Sequence, residues 1–449
     1  MENYKADIIV VGGGPGGMMA AYAASKEGLD TILIEKNGFL GGCGTACMVM
    51  PMMSFYAGEK KVVGGYADEL IARIKKEGGT IGHVHDPIMG PYTLTPIDLE
   101  IYKYVSMEML LEAGVKLYFH SEVVDANVVN NEIESITVHT VSGNYLFSAK
   151  EYIDCTGNAS LVSLAGEDYM LGRDEDGKTQ PMSLIFTVKG VDRQRILSYI
   201  KDNPQEFCMH LSTHSMEDEE IIAISGFFSL VKEAQKNNDF SDYRDRILAF
   251  ELNEKGEMTI NTGRIINHVD VRGFDLSEAE IIGRKQMWEI LRLLNKYIPG
   301  FENAKIKDSA ACVGVRESRR LNGTYVLNER DILNHKQFED VIALGNWPID
   351  IHSPDGKDVA ITEFEEGSYY HIPYRSLVPK KIDNLLVGGR IISTTHEAFA
   401  STRVSPTCMA IGQAAGIASA LCCLNGCFPR QMDISKLKRK LVESGQLID

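Results

Sequence analysis

Ala6-Asp-Ile-Ile-Val-Val-Gly-Gly-Gly-Pro-Gly-Gly17 and, downstream, Thr31-Ile-Leu-Ile-Glu35 decide how this chain begins to fold. Ala6–Val11 is a short apolar run with β-branched members, the pattern of a parallel strand buried on both faces. Gly12–Gly17 interrupt it, Met18–Lys26 reads as a helix rich in Ala and Met, and Gly28 stands where that helix would be capped. Thr31–Ile34 is a second buried strand. The unit is β-α-β, and its turn satisfies G-x-G-x-x-G through Gly12, Gly14 and Gly17, with Pro15 and Gly16 completing the loop. The first glycine allows a tight turn, the second lets a pyrophosphate approach the backbone, and the third lets helix pack on strand. Glu35, followed by Lys36, ends the second strand, where a carboxylate accepts hydrogen bonds from an adenosine ribose. Strand, loop, helix and acid in this order predict dinucleotide binding.

Two later segments point to FAD and away from NAD. Ile153-Asp-Cys-Thr-Gly157 is an apolar strand ending in Thr156-Gly157, the kind of return that brings a chain back to a dinucleotide. Asn384-Leu-Leu-Val-Gly-Gly-Arg390 is another buried strand, ending at Gly389 and Arg390. It precedes Ser405-Pro-Thr-Cys-Met409, which reads as a helix start with Ser405 as N-cap and Pro406 at the first position. The free N–H groups of Thr407, Cys408 and Met409, with the helix dipole, suit the negative charge of a reduced flavin. An NAD enzyme has no need of this second anion site.

In this chain order the motifs resemble the glutathione-reductase-type FAD fold. More narrowly, Gly314-Val-Arg-Glu-Ser-Arg-Arg320, Pro348-Ile-Asp-Ile-His352, His371-Ile-Pro-Tyr-Arg375 and His396-Glu-Ala, continuing to Arg403-Val-Ser-Pro-Thr-Cys408-Met-Ala-Ile-Gly-Gln-Ala-Ala-Gly416, resemble a large, chemically diverse bacterial family of FAD-dependent oxidoreductases. The resemblance covers nearly the whole chain. It implies FAD redox chemistry, with Gly42-Cys43 along the pyrophosphate and ribitol and Val123 by the adenine. Arg390, Arg403, Gly412 and the helix N-terminus would wrap the flavin.

Composition narrows the partners. Lys and Arg total 46 against 62 Asp and Glu, a net charge of -16, so the chain lacks the positive field that nucleic acids or anionic membranes require. Nine scattered cysteines are an odd number and no disulfide framework, which fits a reducing compartment. The longest apolar stretch, Cys408 to Leu424, is short and interrupted by Gln413. The expectation is a soluble, cytoplasmic protein with no membrane or nucleic-acid partner; the number of subunits, a homo-oligomer included, is left open.

The fold class expected is α/β: a Rossmann-like FAD-binding domain with an inserted α+β substrate domain. The FAD domain would be discontinuous (1–163 and 336–430), the insert would run over 164–335, and 431–449 would form a C-terminal helix. Helices are expected over about Gly65–Glu77, from Thr95 with Pro96 first and Asp98 in the first turn to near Gly114, and over Ser277–Tyr297 with Ser277 and Glu280 as a capping box. Lys116–His120, Glu122–Val129, Ile133–Thr140 and Tyr145–Asp154 read as a small antiparallel meander. Strands are also expected at Ser183–Val188, Met258–Ile260 and Val341–Leu344, and a helix at Pro406–Leu424.

Between residues 160 and 380 there is no second strand–GxGxxG–helix unit. The electron donor or acceptor is therefore expected to enter the flavin pocket directly, or to be a redox partner protein. Hydride transfer needs groups that move protons and orient a small organic substrate, and the family-like segments offer His352, His371, His396, Tyr374 and Arg375, with Asp350 beside them. Arg316, Glu317 and Arg319 read equally well as a structural ion-pair network. Cys43 and Cys47 allow an alternative, a thiol–disulfide oxidoreductase, although their CxxxC spacing is one residue short of the redox CxxxxC of the disulfide reductases. A second alternative is an electron-transfer flavoprotein subunit. Met48-Val-Met-Pro-Met-Met53 reads as adaptable packing over flavin or substrate. His83-Val-His85-Asp86 and Cys208-Met-His210 with His214 carry metal-ligand types without metal-site spacing, so no metal is expected.

Overall fold

The computed structural model describes residues 3–208, 221–242, 244–252, 254–356 and 359–449. His210 and His214 lie outside them. Among the described residues, five parallel strands form the central sheet: β1 (Ile8–Val11), β2 (Thr31–Ile34), β3 (Lys116–Tyr118), β4 (Glu151–Asp154) and β5 (Leu385–Val387), in the order β5-β4-β1-β2-β3. Every residue of β1, β2, β4 and β5 is buried, as a sheet covered on both faces requires. Helices α1 (Pro15–Lys26) and α2 (Ser405–Asn425) provide much of that cover. By length and composition α2 is apolar enough to cross a membrane, but 89% of its most apolar window is buried inside the protein, so its apolarity serves the core.

Several boundaries differ from the sequence reading. Lys116–Tyr118 and Glu151–Asp154 join the parallel sheet; only Glu122–Val129, Glu132–Thr140 and Gly143–Ser148 form the antiparallel meander, with Asn3–Lys5 added at its edge. The helix placed at Thr95 starts at Leu99, because Gly90–Thr95 is a strand and Asp98 is the N-cap, its carboxylate accepting from the Ile101 N–H at 2.9 Å. The long helix begins at Asp275 and has no side-chain cap; Glu280 accepts instead from the Val313 N–H at 2.6 Å. Ser405 is the first residue of α2, and Val404 occupies the N-cap. Val341–Gly345 pairs antiparallel with Tyr370–Pro373, outside the central sheet. The C-terminal helix is confined to Ile434–Glu443.

The buried apolar side chains form two clusters. The first surrounds the central sheet. The second contains Met48 and residues between 182 and 313, built on an antiparallel sheet of Ala223–Gly226, Ile247–Glu251, Glu257–Ile260, Phe186–Lys189 and Lys305–Ser309. The Asp275–Tyr297 helix covers it through Ala279, Gly283, Met287, Ile290, Leu293 and Leu294, a stripe at helical spacing. The loops after β1, β2, β4 and β5 emerge at one edge of the central sheet, at the carboxyl ends of its strands. Open α/β sheets form ligand crevices at such an edge.

Candidate active site

Two glycine contacts build the floor of the crevice. A Cβ on Gly17 would lie 1.8 Å from the Gly12 carbonyl oxygen, so α1 rests directly on the turn that follows β1. A Cβ on Gly412 or Gly416 of α2 would likewise stand 2.0 or 2.2 Å from the carbonyl oxygens of Gly16 and Ala20 of α1. Helices that touch through backbone bring their N-termini side by side. Gly14 and Val404, the two N-caps, carry no side-chain cap, and both helix starts line one cavity of about 510 Å³. The first-turn N–H groups of a helix have no intrahelical acceptor, and the dipole makes them anion-seeking.

Glu35 is buried beside them. Its Oε2 accepts from the Gly13 N–H at 2.6 Å, and its Oε1 from the backbone and side-chain nitrogens of Asn37, both at 2.8 Å. A carboxylate has about four lone-pair sites, which leaves capacity for a ribose hydroxyl. Gly42, at φ +53°, approaches so closely that a Cβ there would meet the Gly14 Cα at 2.8 Å. Arg390 ties two walls together, donating from Nε to the Gly157 carbonyl (2.7 Å) and from Nη1 to that of Val315 (2.5 Å). Uncapped helix starts, a glycine cradle and a ribose-seeking carboxylate fit a flavin dinucleotide.

Of the residues singled out for the nucleotide, Gly12, Gly14, Pro15, Gly16, Glu35, Lys36, Gly42, Cys43, Thr156, Gly157, Gly389, Arg390, Arg403 and Cys408 line this cavity. The others do not. Gly17 and Gly412 are spent on the backbone contacts described above. Met409 is in the core, Thr407 is buried in α2, and the Val123 side chain packs into the first core beneath its strand.

The far end of the cavity draws on the second core and on the Ile349–His352 strand. Arg403 donates to the Gln180 Oε1 and the Asp350 carbonyl, each at 3.1 Å, and lies 3.5 Å from the Asp350 carboxylate. Burial would raise the Asp350 carboxyl, but His352, Arg403 and Arg316 outweigh it and hold the group below its ordinary range. His352 Nδ1 faces the Arg264 Nη2 at 3.2 Å, and a guanidinium only donates, so the imidazole proton belongs on Nε2, 3.3 Å from Asp350. Burial keeps this histidine neutral, its pKa well below the usual value. Both nitrogens are engaged. His352 thus lines the cavity, as its reading as a site residue expected, with Asp350 on one ring nitrogen and Arg264 on the other.

The remaining catalytic candidates lie elsewhere. His371 accepts from the Phe338 N–H (3.4 Å), Tyr374 is buried and donates to the Pro429 carbonyl (3.0 Å), and Arg375 holds Asp340 with two nitrogens. They share the Tyr370–Leu377 stretch, which packs against the first core away from the crevice. His396 faces Glu317 at 2.8 Å and lines a separate cavity. Glu317 also pairs with the buried Arg320 and accepts from the Gln180 N–H at 3.0 Å, making a structural hub. Arg316 reaches Pro181, Ser183 and Asn261, and Arg319 the Asn158 carbonyl, so neither joins it.

The sequence reading missed Arg244, Arg246, Asn261, Asp270 and Cys312, all of which line the cavity. Cys312 lies 3.6 Å from Cys47, sulfur to sulfur. Hydrogen bonding from Cys47, opposed by burial and helped by Arg390 and Lys36, draws the Cys43 thiol down to about 6. All nine cysteines are free. Val49, Met50, Pro51 and Met53 line the cavity, as the methionine-rich stretch suggested. His83 packs between Phe55 and Tyr56, and among the described residues no metal-ligating cluster occurs.

A family model described as FAD dependent oxidoreductase matches residues 7–441. The chain belongs to the FAD-dependent oxidoreductase family. Its fold is the Rossmann-like α/β FAD-binding fold, its cofactor is FAD, and its chemistry is oxidoreduction. A digeranylgeranylglycerophospholipid reductase of Methanocella arvoryzae is 27% identical over 159 residues, which are 35% of this chain; the match spans only 40% of that relative's length. A mitochondrial dihydrolipoyl dehydrogenase of Caenorhabditis elegans is 54% identical over 37 residues, 8% of either chain. So short a likeness does not favour a thiol–disulfide enzyme, and nothing favours an electron-transfer subunit. A geranylgeranyl bacteriochlorophyll reductase-like protein from Thermoplasma acidophilum shares the fold, with a TM-score of 0.52 at 14% identity over 99% of this chain and 84% of that one.

Proposed function

We propose that this FAD-dependent oxidoreductase moves a hydride between the flavin and a small organic substrate held between the two cores. One observation carries the reading: a single cavity is lined at one end by the uncapped starts of α1 and α2 and at the other by side chains of the second core. In this reading residues 1–163 and 336–430 form a discontinuous FAD domain of the glutathione-reductase type, and 164–335 are the inserted substrate domain. FAD supplies two-electron hydride chemistry when bound. Gly14–Gly16 would bind the pyrophosphate through backbone N–H groups, and Glu35 the ribose. Arg390 would face the flavin beside Cys43, while Met50, Met53 and Trp347 exclude water from the middle of the cavity. Asp350, held ionised by His352, Arg403 and Arg316, orients the substrate.

The lipid in the partial relative's name is not carried over, because Arg244, Arg316 and Arg403 stand among the apolar side chains, Leu248 and Phe250 included, that line the substrate end. Free cysteines and the acidic composition support a cytoplasmic setting, and electrons would pass to a second small molecule or to a partner protein. The test is the visible spectrum of the purified protein as organic acids, alcohols, amines and enones are added anaerobically. Flavin bands that bleach with one class support the reading and name the substrate. Bands that bleach only with a dithiol, or no flavin after reconstitution with FAD, would overturn it.

A further inference from the structure

We infer that the far end of the cavity is an anion site, and that the molecule bound there is a small organic dianion, a dicarboxylate or a phosphate ester. The inference rests on the reading that a substrate enters between the two cores. Arg244 carries it. Its side chain is 4% exposed and lines the cavity, and its Nε has no hydrogen-bond partner among the described residues. Buried donors in folded proteins are almost always paired, so a guanidinium at the cavity wall without a protein acceptor suits an anion from outside the chain.

The surrounding charge is unbalanced in the same sense. Arg244, Arg264, Arg316 and Arg403 sense one another and Asp350 electrostatically. Glu317, which also acts on Arg403, is already paired with the buried Arg320, and two further carboxylates offset these four guanidinium groups. Asp350 is one; the other is Asp242, whose oxygens accept the backbone N–H groups of Arg244 and Arg264, each at 3.0 Å. Arg246 is already held by both oxygens of Asp245 and adds nothing to the excess. Burial first, then the neighbouring guanidinium groups, push Arg264 and Arg316 below the ordinary arginine range, Arg316 to about 9, and burial lowers Arg244 as well. In a chain of net charge -16, this buried excess of positive charge selects an anion, and an anion relieves it. A guanidinium fork matches carboxylate and phosphate alike.

The test titrates the FAD-loaded protein at constant ionic strength with sodium succinate, with glycerol 3-phosphate and with dimethyl succinate, the uncharged diester. The flavin band and the unfolding temperature are both recorded. A dianion is expected to shift the band and raise the unfolding temperature while the diester does neither. Whether succinate or glycerol 3-phosphate acts identifies the source of the charge. Arg244→Gln should weaken dianion binding about tenfold or more with flavin content unchanged, and Arg244→Lys should restore part of it. A diester that acts like the dianions, dianions that do nothing, or an Arg244→Gln protein that binds them as well as the parent overturns the anion site. If Arg244→Gln does not fold, the comparison of dianion with diester on the parent protein decides alone. Absence of any flavin band overturns the cofactor reading instead, and the unfolding temperature of the flavin-free protein still reports on the anion site.

Discussion

Gly12, Gly14 and Gly16 offer backbone to one end of the cavity, whereas Arg244, Arg316 and Arg403 offer long charged side chains to the other. The glycine end works by excluding atoms: its shape depends on where no Cβ stands. The arginine end works by holding charge out of water, and depends on a framework that keeps each guanidinium aimed. Substitutions at the two ends should therefore fail differently. At the glycine end the added atom itself is the lesion, and at the arginine end it is the charge left without its partner.

The largest effect is expected behind the arginine end. Glu317 accepts from Gln180, which in turn accepts from Arg403 and from the His352 N–H. Glu317→Gln breaks a buried ion pair with Arg320 and should cost about 3–5 kcal/mol in denaturant unfolding. Burial would raise this carboxyl, but His396 and Arg320 outweigh it and hold it below the usual value. A depressed carboxyl contributes stability above its unfolded pKa and loses it as pH falls through the folded one. Stability should thus decline from about pH 4 downward, and Glu317→Gln should flatten that slope. An unchanged slope would remove the hub from the comparison.

Two glycine substitutions sharpen the contrast within the other end. Gly17→Ala drives a Cβ into the Gly12 carbonyl and should destabilise the fold by about 3 kcal/mol. Gly14→Ala has nothing nearer than 3.8 Å and an ordinary φ of -73°, so the flavin-free protein should unfold like the parent. FAD retention should nonetheless drop about tenfold, because the methyl group stands where the pyrophosphate would. A Gly14→Ala protein that retains FAD fully would break the comparison. The smallest effect is kinetic. Cys43 in the flavin-free protein should react with iodoacetamide at half its maximal rate near pH 6, in contrast to ~8.5 for an ordinary thiol. The rate falls as pH drops through that value, and Cys47→Ala should move the midpoint upward.

The same contrast explains what could be read in the sequence. Backbone chemistry needs fixed local spacing, so Gly12, Gly14 and Gly17 with Glu35 pointed to a dinucleotide, and the strands ending at Gly157 and Gly389 reach the same cavity as Gly12, Gly14 and Glu35. Gly412 looked like a flavin contact because a helix start and a helix crossing draw on the same small residues; only the packing shows the crossing. Side-chain chemistry assembled across the fold leaves no such spacing. Arg244 and Arg264 belong to a segment without motifs, and an arginine's meaning depends on burial that the sequence does not print. His371, Tyr374 and Arg375 misled for the converse reason: types suited to catalysis were spent on Phe338, Pro429 and Asp340.

The most direct measurement is a structure of the protein with FAD bound. The expected density places the pyrophosphate against Gly14–Gly16 and the isoalloxazine ring in the middle of the cavity, with one face open to Arg244, Arg316 and Arg403. A ring pointing out of the crevice, or separated from those arginines by protein, would contradict the claim that one cavity joins a cofactor end to a substrate end.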